Sequence, residues 1–174
     1  MSAQANPKLA LRPYLLADAP LLAEIFRASI EELTEEDYSE AQRGAWAAAA
    51  DDEAAFAERL AQELTLVATL GGSVVGFVSL KGADQIDLLY VHPAVAGQGI
   101  GAMLCDAVER LAAARGTPRL AADASDSARG FFEHRGYVAQ RRNTVACGGE
   151  WLATTTMEKL LAPKAPQAPK GSTP

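Results

Sequence analysis

The sequence predicts an α/β domain: a mixed, mostly antiparallel central sheet of about seven strands, flanked by roughly four or five helices. Three observations point there. Residues 64–80 hold two apolar runs around Gly71-Gly72-Ser73, the pattern of a β-hairpin. Residues 85–115 read as a strand, a glycine-bearing loop and an amphipathic helix. Residues 119–160 read as a strand, a short helix and two closing strands.

Taken in order, residues 9–15 form a first strand, and Arg12-Pro13 puts it at an edge, because proline cannot donate to a ladder. Asp18 is placed to cap a helix with Pro20 in its first turn and Leu21, Leu22, Ile25, Phe26 and Ile30 at helical spacing. Ser39 is placed to cap a short helix carrying Gln42 and Trp46, and Asp51 or Asp52 starts another with Phe56, Leu60 and Leu64. After the hairpin, Lys81-Gly82-Ala83-Asp84 turns the chain into a strand over residues 85–91 that Pro93 stops. Ile100, Met103, Leu104, Ala107, Val108 and Leu111 line one face of the following helix, and Gly116 ends it. A strand covers 119–123, Ser125 or Asp126 caps a helix over 127–135, Gly136 stops that helix, and strands cover 137–145 and 151–160. Residues 1–161 thus make one domain. Residues 162–174 are rich in Pro, Ala and Lys, a composition that predicts a disordered tail.

The chain has 174 residues, enough for one well-buried domain. No apolar run approaches the roughly 20 residues that span a bilayer, and residues 1–8 lack a signal-peptide pattern. Cys105 and Cys147 make no disulfide framework, and with His92 and His134 they offer no metal-ligand spacing. A cytoplasmic setting without membrane or metal is expected. The net charge of −6 argues against nucleic acid as a partner. Residues 18–63 carry thirteen acids against three bases, a balance of −10 that leaves +4 for the rest. The acids read either as solvated helix faces or as an attraction for a cation.

The segment Leu88-Leu89-Tyr90-Val91-His92-Pro93-Ala94-Val95-Ala96-Gly97-Gln98-Gly99-Ile100-Gly101-Ala102 carries the chemistry. Glycines at alternate positions let main chain approach a ligand, and the free N–H groups of the helix's first turn suit a pyrophosphate. The Gly-x-Gly-x-x-Gly dinucleotide fingerprint and the Gly-Lys-Ser/Thr ending of a kinase-type loop are both missing.

These residues resemble the GNAT superfamily of N-acetyltransferases. Leu89-Tyr90-Val91-His92-Pro93 matches its Leu-x-Val-x-Pro strand end, and Ala96-Gly97-Gln98-Gly99-Ile100-Gly101 matches its Gln/Arg-x-x-Gly-x-Gly/Ala loop, with Ala96 replacing the first polar residue. Ser125-x-x-Ala128-x-x-Phe131-Phe132-x-x-x-Gly136-Tyr137 matches its second signature. The resemblance implies an enzyme that transfers acetyl from acetyl-CoA, its co-substrate, directly to a primary amine of a small molecule or peptide. The main chain of Leu89, Tyr90 and Val91 would pair with the pantetheine arm. The amides of Gly97, Gln98, Gly99, Ile100, Gly101 and Ala102 would hold the pyrophosphate, and the helix bearing Phe132 would flank the cofactor. The family's usual acid is a tyrosine where Phe132 stands, so that role does not carry over; water, Ser125 or Tyr90 remain as donors. This gap keeps a non-catalytic acyl-CoA sensor or partner-binding module as the rival reading.

Deprotonating an ammonium needs a base. Asp87, alone among Ile86, Leu88 and Leu89, and Asp123, at a strand end beside the expected cofactor gap, are the candidates; each could instead be a structural hydrogen-bond partner. By the same resemblance the acceptor pocket falls on residues 30–50 and 143–151. Tyr38, Trp46 and Trp151 are there to wall a cationic amine, or else to fill the core. The chain is expected to be a monomer or homodimer.

Overall fold

Leu22, Ala23, Ile25, Phe26, Ser29 and Ile30 are all buried and recur at helical spacing, and this stripe sets α1 (Ala19–Leu33) against the sheet. In the computed structural model, which describes residues 6–162, the predicted tail from residue 163 onward lies outside the described residues. The strands are β1 (Leu9–Pro13), β2 (Leu64–Leu70), β3 (Ser73–Lys81), β4 (Gln85–Val91), β5 (Arg119–Ser125), β6 (Val138–Cys147) and β7 (Glu150–Leu160). The remaining helices are α2 (Glu40–Ala47), α3 (Glu53–Gln62), α4 (Ile100–Ala114) and α5 (Asp126–His134). The sheet runs β1-β2-β3-β4-β5-β7-β6. Every neighbouring pair is antiparallel except β4 and β5, which makes the sheet mixed as the sequence predicts.

Two apolar layers cover the sheet. Ile100, Leu104, Cys105 and Val108 of α4, with Phe132 of α5, bury against Val78, Leu80, Ile86, Ala122 and Ala124. On the opposite face α1 and α3 pack Phe26, Ile30, Phe56 and Leu60 against Val67, Phe77 and Leu88. The central strand β3 therefore alternates between two buried faces. Capping sets the helix starts: Ser39 accepts from the Gln42 N–H while Gln42 reaches back to the Ser39 N–H, and Ser125 accepts from the Ala128 N–H.

Asp18 does not cap α1. Its carboxylate accepts from the Leu15 N–H and binds both Arg12 nitrogens at 2.7 and 2.8 Å, so it ties β1 to the helix entry. The Arg12 hydrogen bond holds the Asp18 carboxyl below its ordinary pKa, against the opposing effect of burial.

Two irregularities position the site. The β3–β4 register passes from Leu80↔Ile86 to Ser79↔Leu88, leaving Asp87 as a surplus residue in β4. The β4–β5 pairing holds only at Gln85↔Ala121 and Ile86↔Ala122. Beyond Ile86 the two parallel strands part, and β4 keeps its β3 partner while its other edge is free.

Candidate active site

The loop into α4 is built on glycine where φ is positive: Gly97 at 78° and Gly99, the residue before the helix, at 83°. The Val95 and Ala96 amides donate to the His92 and Pro93 carbonyls, and the helical ladder resumes with the Met103 N–H on the Gly99 carbonyl. Between them the amides of residues 97–102 have no protein acceptor among the described residues. Gly97, Gly99, Ile100, Gly101 and Ala102 line one cavity with Val91, Phe131 and Arg135. Gln98 is exposed outside it, and the Ile100 side chain is buried in the core, so only the main chain of Ile100 is available. A Cβ on Gly101 would touch the Phe131 ring at 3.5 Å. Arg135 was not foreseen from sequence. Its guanidinium binds Asp106 and Glu109, lies 5.8 Å from the Phe131 ring centre and keeps a buried Nε without a partner. An arginine at a helix end gives no sequence signal of facing a loop thirty-odd residues earlier.

Val91, Gly101 and Phe131 also line a second cavity, about 240 Å³, that fills the gap where β4 and β5 part. Asp87, Leu89, Tyr90, Asp123, Ser125, Trp46 and Phe132 line it as well. Asp123 alternates with Ala122 and Ala124, which are buried on the α4 side, so its side chain faces the same layer as α1. The two candidate carboxylates thus share one cavity, in different surroundings. Asp87 is clamped by Arg59, whose Nε and Nη2 lie 2.9 and 2.7 Å from Oδ2. Asp123 is more exposed and accepts from the Thr156 hydroxyl at 2.6 Å; Thr156 in turn accepts from the Asn143 amide. Asp123 does not cap α5, which Ser125 does.

Behind Asp87 stands Glu63, the residue that ends α3, which sequence reading passed over as one acid among thirteen. Burial first, and hydrogen bonding with Asp87 second, push its carboxyl up to about 7.

The aromatic candidates separate. Trp46 lines the cavity and packs edge-on to Tyr38 and Tyr90. The Tyr90 ring is buried among Phe26, Phe77 and Trp46, so its main chain faces the gap while its ring supports the wall; burial holds its phenol well above the usual range. Tyr38 is 5% exposed and lies outside the cavity lining. Its hydroxyl donates to the Ala153 carbonyl at 2.6 Å and accepts from the Asp126 N–H at 2.8 Å. Trp151 is 63% exposed and lies outside the cavity lining; its carbonyl accepts from the Gln42 side chain. Phe132 lines the cavity but is 4% exposed and packed edge-on to Phe131 and Tyr137. Buried among rings, it adds a wall and no proton.

The family profile described as "Acetyltransferase (GNAT) domain" matches residues 34–161. An uncharacterized N-acetyltransferase, YafP of Escherichia coli (strain K12), is 30% identical over 147 residues, covering 84% of this chain and 93% of that protein. A crystal structure of a GCN5-related N-acetyltransferase from Rhodopseudomonas palustris superposes with a TM-score of 0.88 at 59% identity, covering 92% of this chain and all of that one. PaiA N-acetyltransferase of Thermoplasma acidophilum, in complex with coenzyme A, shares the fold at a TM-score of 0.74 and 18% identity, covering 88% and 99%.

Proposed function

The chain belongs to the GNAT family of N-acetyltransferases, and from that premise we propose that it moves acetyl from acetyl-CoA directly to a primary amine of a small molecule or peptide. The observation that carries this reading is the parting of β4 from β5 beyond Ile86 and Ala122, with unpaired amides of residues 97–102 at the loop end of the gap. An extended pantetheine arm would pair with the free edge of Leu89 to Val91, and its pyrophosphate would take the glycine-loop amides. Coenzyme A in the PaiA structure, which shares the fold, supports the choice of cofactor.

Direct transfer is favoured because neither thiol is primed as a relay nucleophile. Cys105 is buried and its thiol is pushed up to about 11 by desolvation, and burial also raises Cys147. Asp87 takes the ammonium proton at the cavity, with Asp123 positioning the amine from the β5 side. The leaving thiolate takes a proton from the amine nitrogen through water or Ser125; the Tyr38 proton is already committed to Ala153. Glu32, Glu35, Glu36 and Asp37 line a shallow hollow beside Ser127, which also borders the cavity. That charge favours a cationic amine approaching from the α1 side. A reducing cytoplasm fits the two free cysteines.

Incubating the protein with acetyl-CoA and a panel of cationic amines should release free thiol only when an amine is present, with the N-acetyl product seen by mass. Saturable coenzyme A binding without thiol release would overturn the reading in favour of an acyl-CoA sensor. Acetyl found on the protein after incubation with acetyl-CoA alone would overturn direct transfer.

A further inference from the structure

Glu63 is held in a place where an ionised carboxylate is poorly served. Its amide still donates to the Arg59 carbonyl at 3.2 Å, but its extended backbone, with ψ of 162°, ends α3, and its side chain is 9% exposed. Oε2 is buried with no hydrogen-bond partner, and so is the Oγ of Ser79 on β3. Ser79 pairs with Leu88, the position beside the surplus residue Asp87. Arg59 serves both acids, at 4.0 Å from Glu63 and 2.7 Å from Asp87. One guanidinium therefore faces two carboxylates. Thr65 on β2 gives nothing to the cluster, because its hydroxyl donates to the Leu60 carbonyl. Tyr90 on β4, the other titratable group near Asp87 and Arg59, stays protonated in its aromatic cage.

A carboxylate buried beside a second carboxylate, with one guanidinium shared between the two, is relieved by a proton, although the Ser79 hydroxyl works the other way and favours the ionised form. On Glu63 it removes the surplus negative charge and leaves Arg59 to Asp87. We propose that Glu63 is the proton store of this site: Asp87 takes a proton from the acceptor ammonium in the cavity, and Glu63, behind it, holds that proton while the amide forms. The proposal rests on the acetyl-transfer reading and on Asp87 as its base.

The step balances. An N–H bond of the ammonium breaks, its electron pair stays on nitrogen, and an O–H bond forms at Asp87 and passes to Glu63. The carboxylate pair goes from two negative charges to one, beside Arg59. The nitrogen lone pair attacks the thioester carbonyl and the C–S bond breaks. The remaining surplus proton on nitrogen goes to the coenzyme A thiolate, and Glu63 returns its proton to solvent after the products leave. A carboxyl raised to about 7 is matched to such a task, since it is ionised often enough to accept and basic enough to hold. Glu63 acts through Asp87 and is a positioning residue in this scheme.

Glu63→Gln keeps the shape and removes the store. Its rate should fall by about tenfold or more at neutral pH, and the acidic limb of kcat/KM should move from near 7 to lower pH by about one unit or more, while acetyl-CoA affinity is unchanged. Glu63→Asp should restore part of the rate and keep the limb near neutrality. Infrared titration of the wild-type protein without substrates should show a buried protonated-carboxyl band that fades as pH passes about 7 and is missing in Glu63→Gln. An unmoved limb with unchanged kcat, or no such band in wild type, would overturn the proposal. The infrared arm needs neither turnover nor a folded variant. A silent amine panel would therefore sink the transfer reading alone, and a missing band would sink the store alone.

Discussion

Asp87 lines the cavity from the one residue of β4 that β3 leaves unpaired. Alternation from Ile86, which is buried on the α4 side, already points this carboxylate toward α3, and the surplus residue puts Leu88 on that same face. Asp87→Asn should lower kcat by about 10²–10³-fold, with acetyl-CoA affinity unchanged by calorimetry. Arg59, 42% exposed, regains water when its partner is lost, so Tm should shift little. Glu63 makes a separate prediction on stability. Its folded pKa lies near 7, above the 4.5 of an ordinary glutamate, so the folded state binds more protons between those values and stability falls as pH rises through that window. Melting scans should show wild type losing ground to Glu63→Gln from about pH 5 to about pH 8. Sequence made Asp87 visible, because a lone carboxylate in an apolar strand must have a reason. It hid Glu63, because a helix-end glutamate in an acidic stretch is normally solvated and only the packing of α3 on the bulge buries it.

Among the elements, the β2–β3 hairpin, the β4–loop–α4 unit and the closing strands were legible because local rules agree there: alternation, glycine at turns and helical stripes. Boundaries moved by one to a few residues where capping decided them, as at Ser125. The short pairing between β4 and β5 was not legible, since nothing in either strand records where two parallel neighbours cease to touch. Nor was the placement of Tyr38 and Trp151, which depends on how α2 docks against β7. The glycine loop carries the prediction proper to this scale. Gly99→Asp puts a carboxylate among the amides proposed to hold the pyrophosphate and forces φ of 83° on a residue with a Cβ. Coenzyme A affinity should drop more than 100-fold, with a stability loss of only about 1–2 kcal/mol from the strained backbone, both read by thermal shift with and without ligand. Affinity within tenfold of wild type would remove the loop from the binding scheme.

At the scale of the whole molecule, Tyr38 joins the two sides of the cavity. It follows α1, yet its hydroxyl holds the Ala153 carbonyl on β7 and the first amide of α5. Tyr38→Phe takes a hydrogen-bond partner from both groups at a partly buried junction, and a loss of about 1–3 kcal/mol in urea unfolding is expected. KM for the amine should rise more than KM for acetyl-CoA, because the tie sets the distance between α1 and β7 rather than the glycine loop.

Among the described residues, two ladder pairs stitch the front half of the sheet to the back half. A cofactor lying along the open edge of β4 would supply the rungs that the polypeptide omits, and ligand that binds only the native form raises its resistance to unfolding with the logarithm of its concentration. The protein would then be a fuel gauge for its own durability. Well supplied with coenzyme A it should resist heat and proteases, and when starved of it the seam should be the first place where deuterium enters.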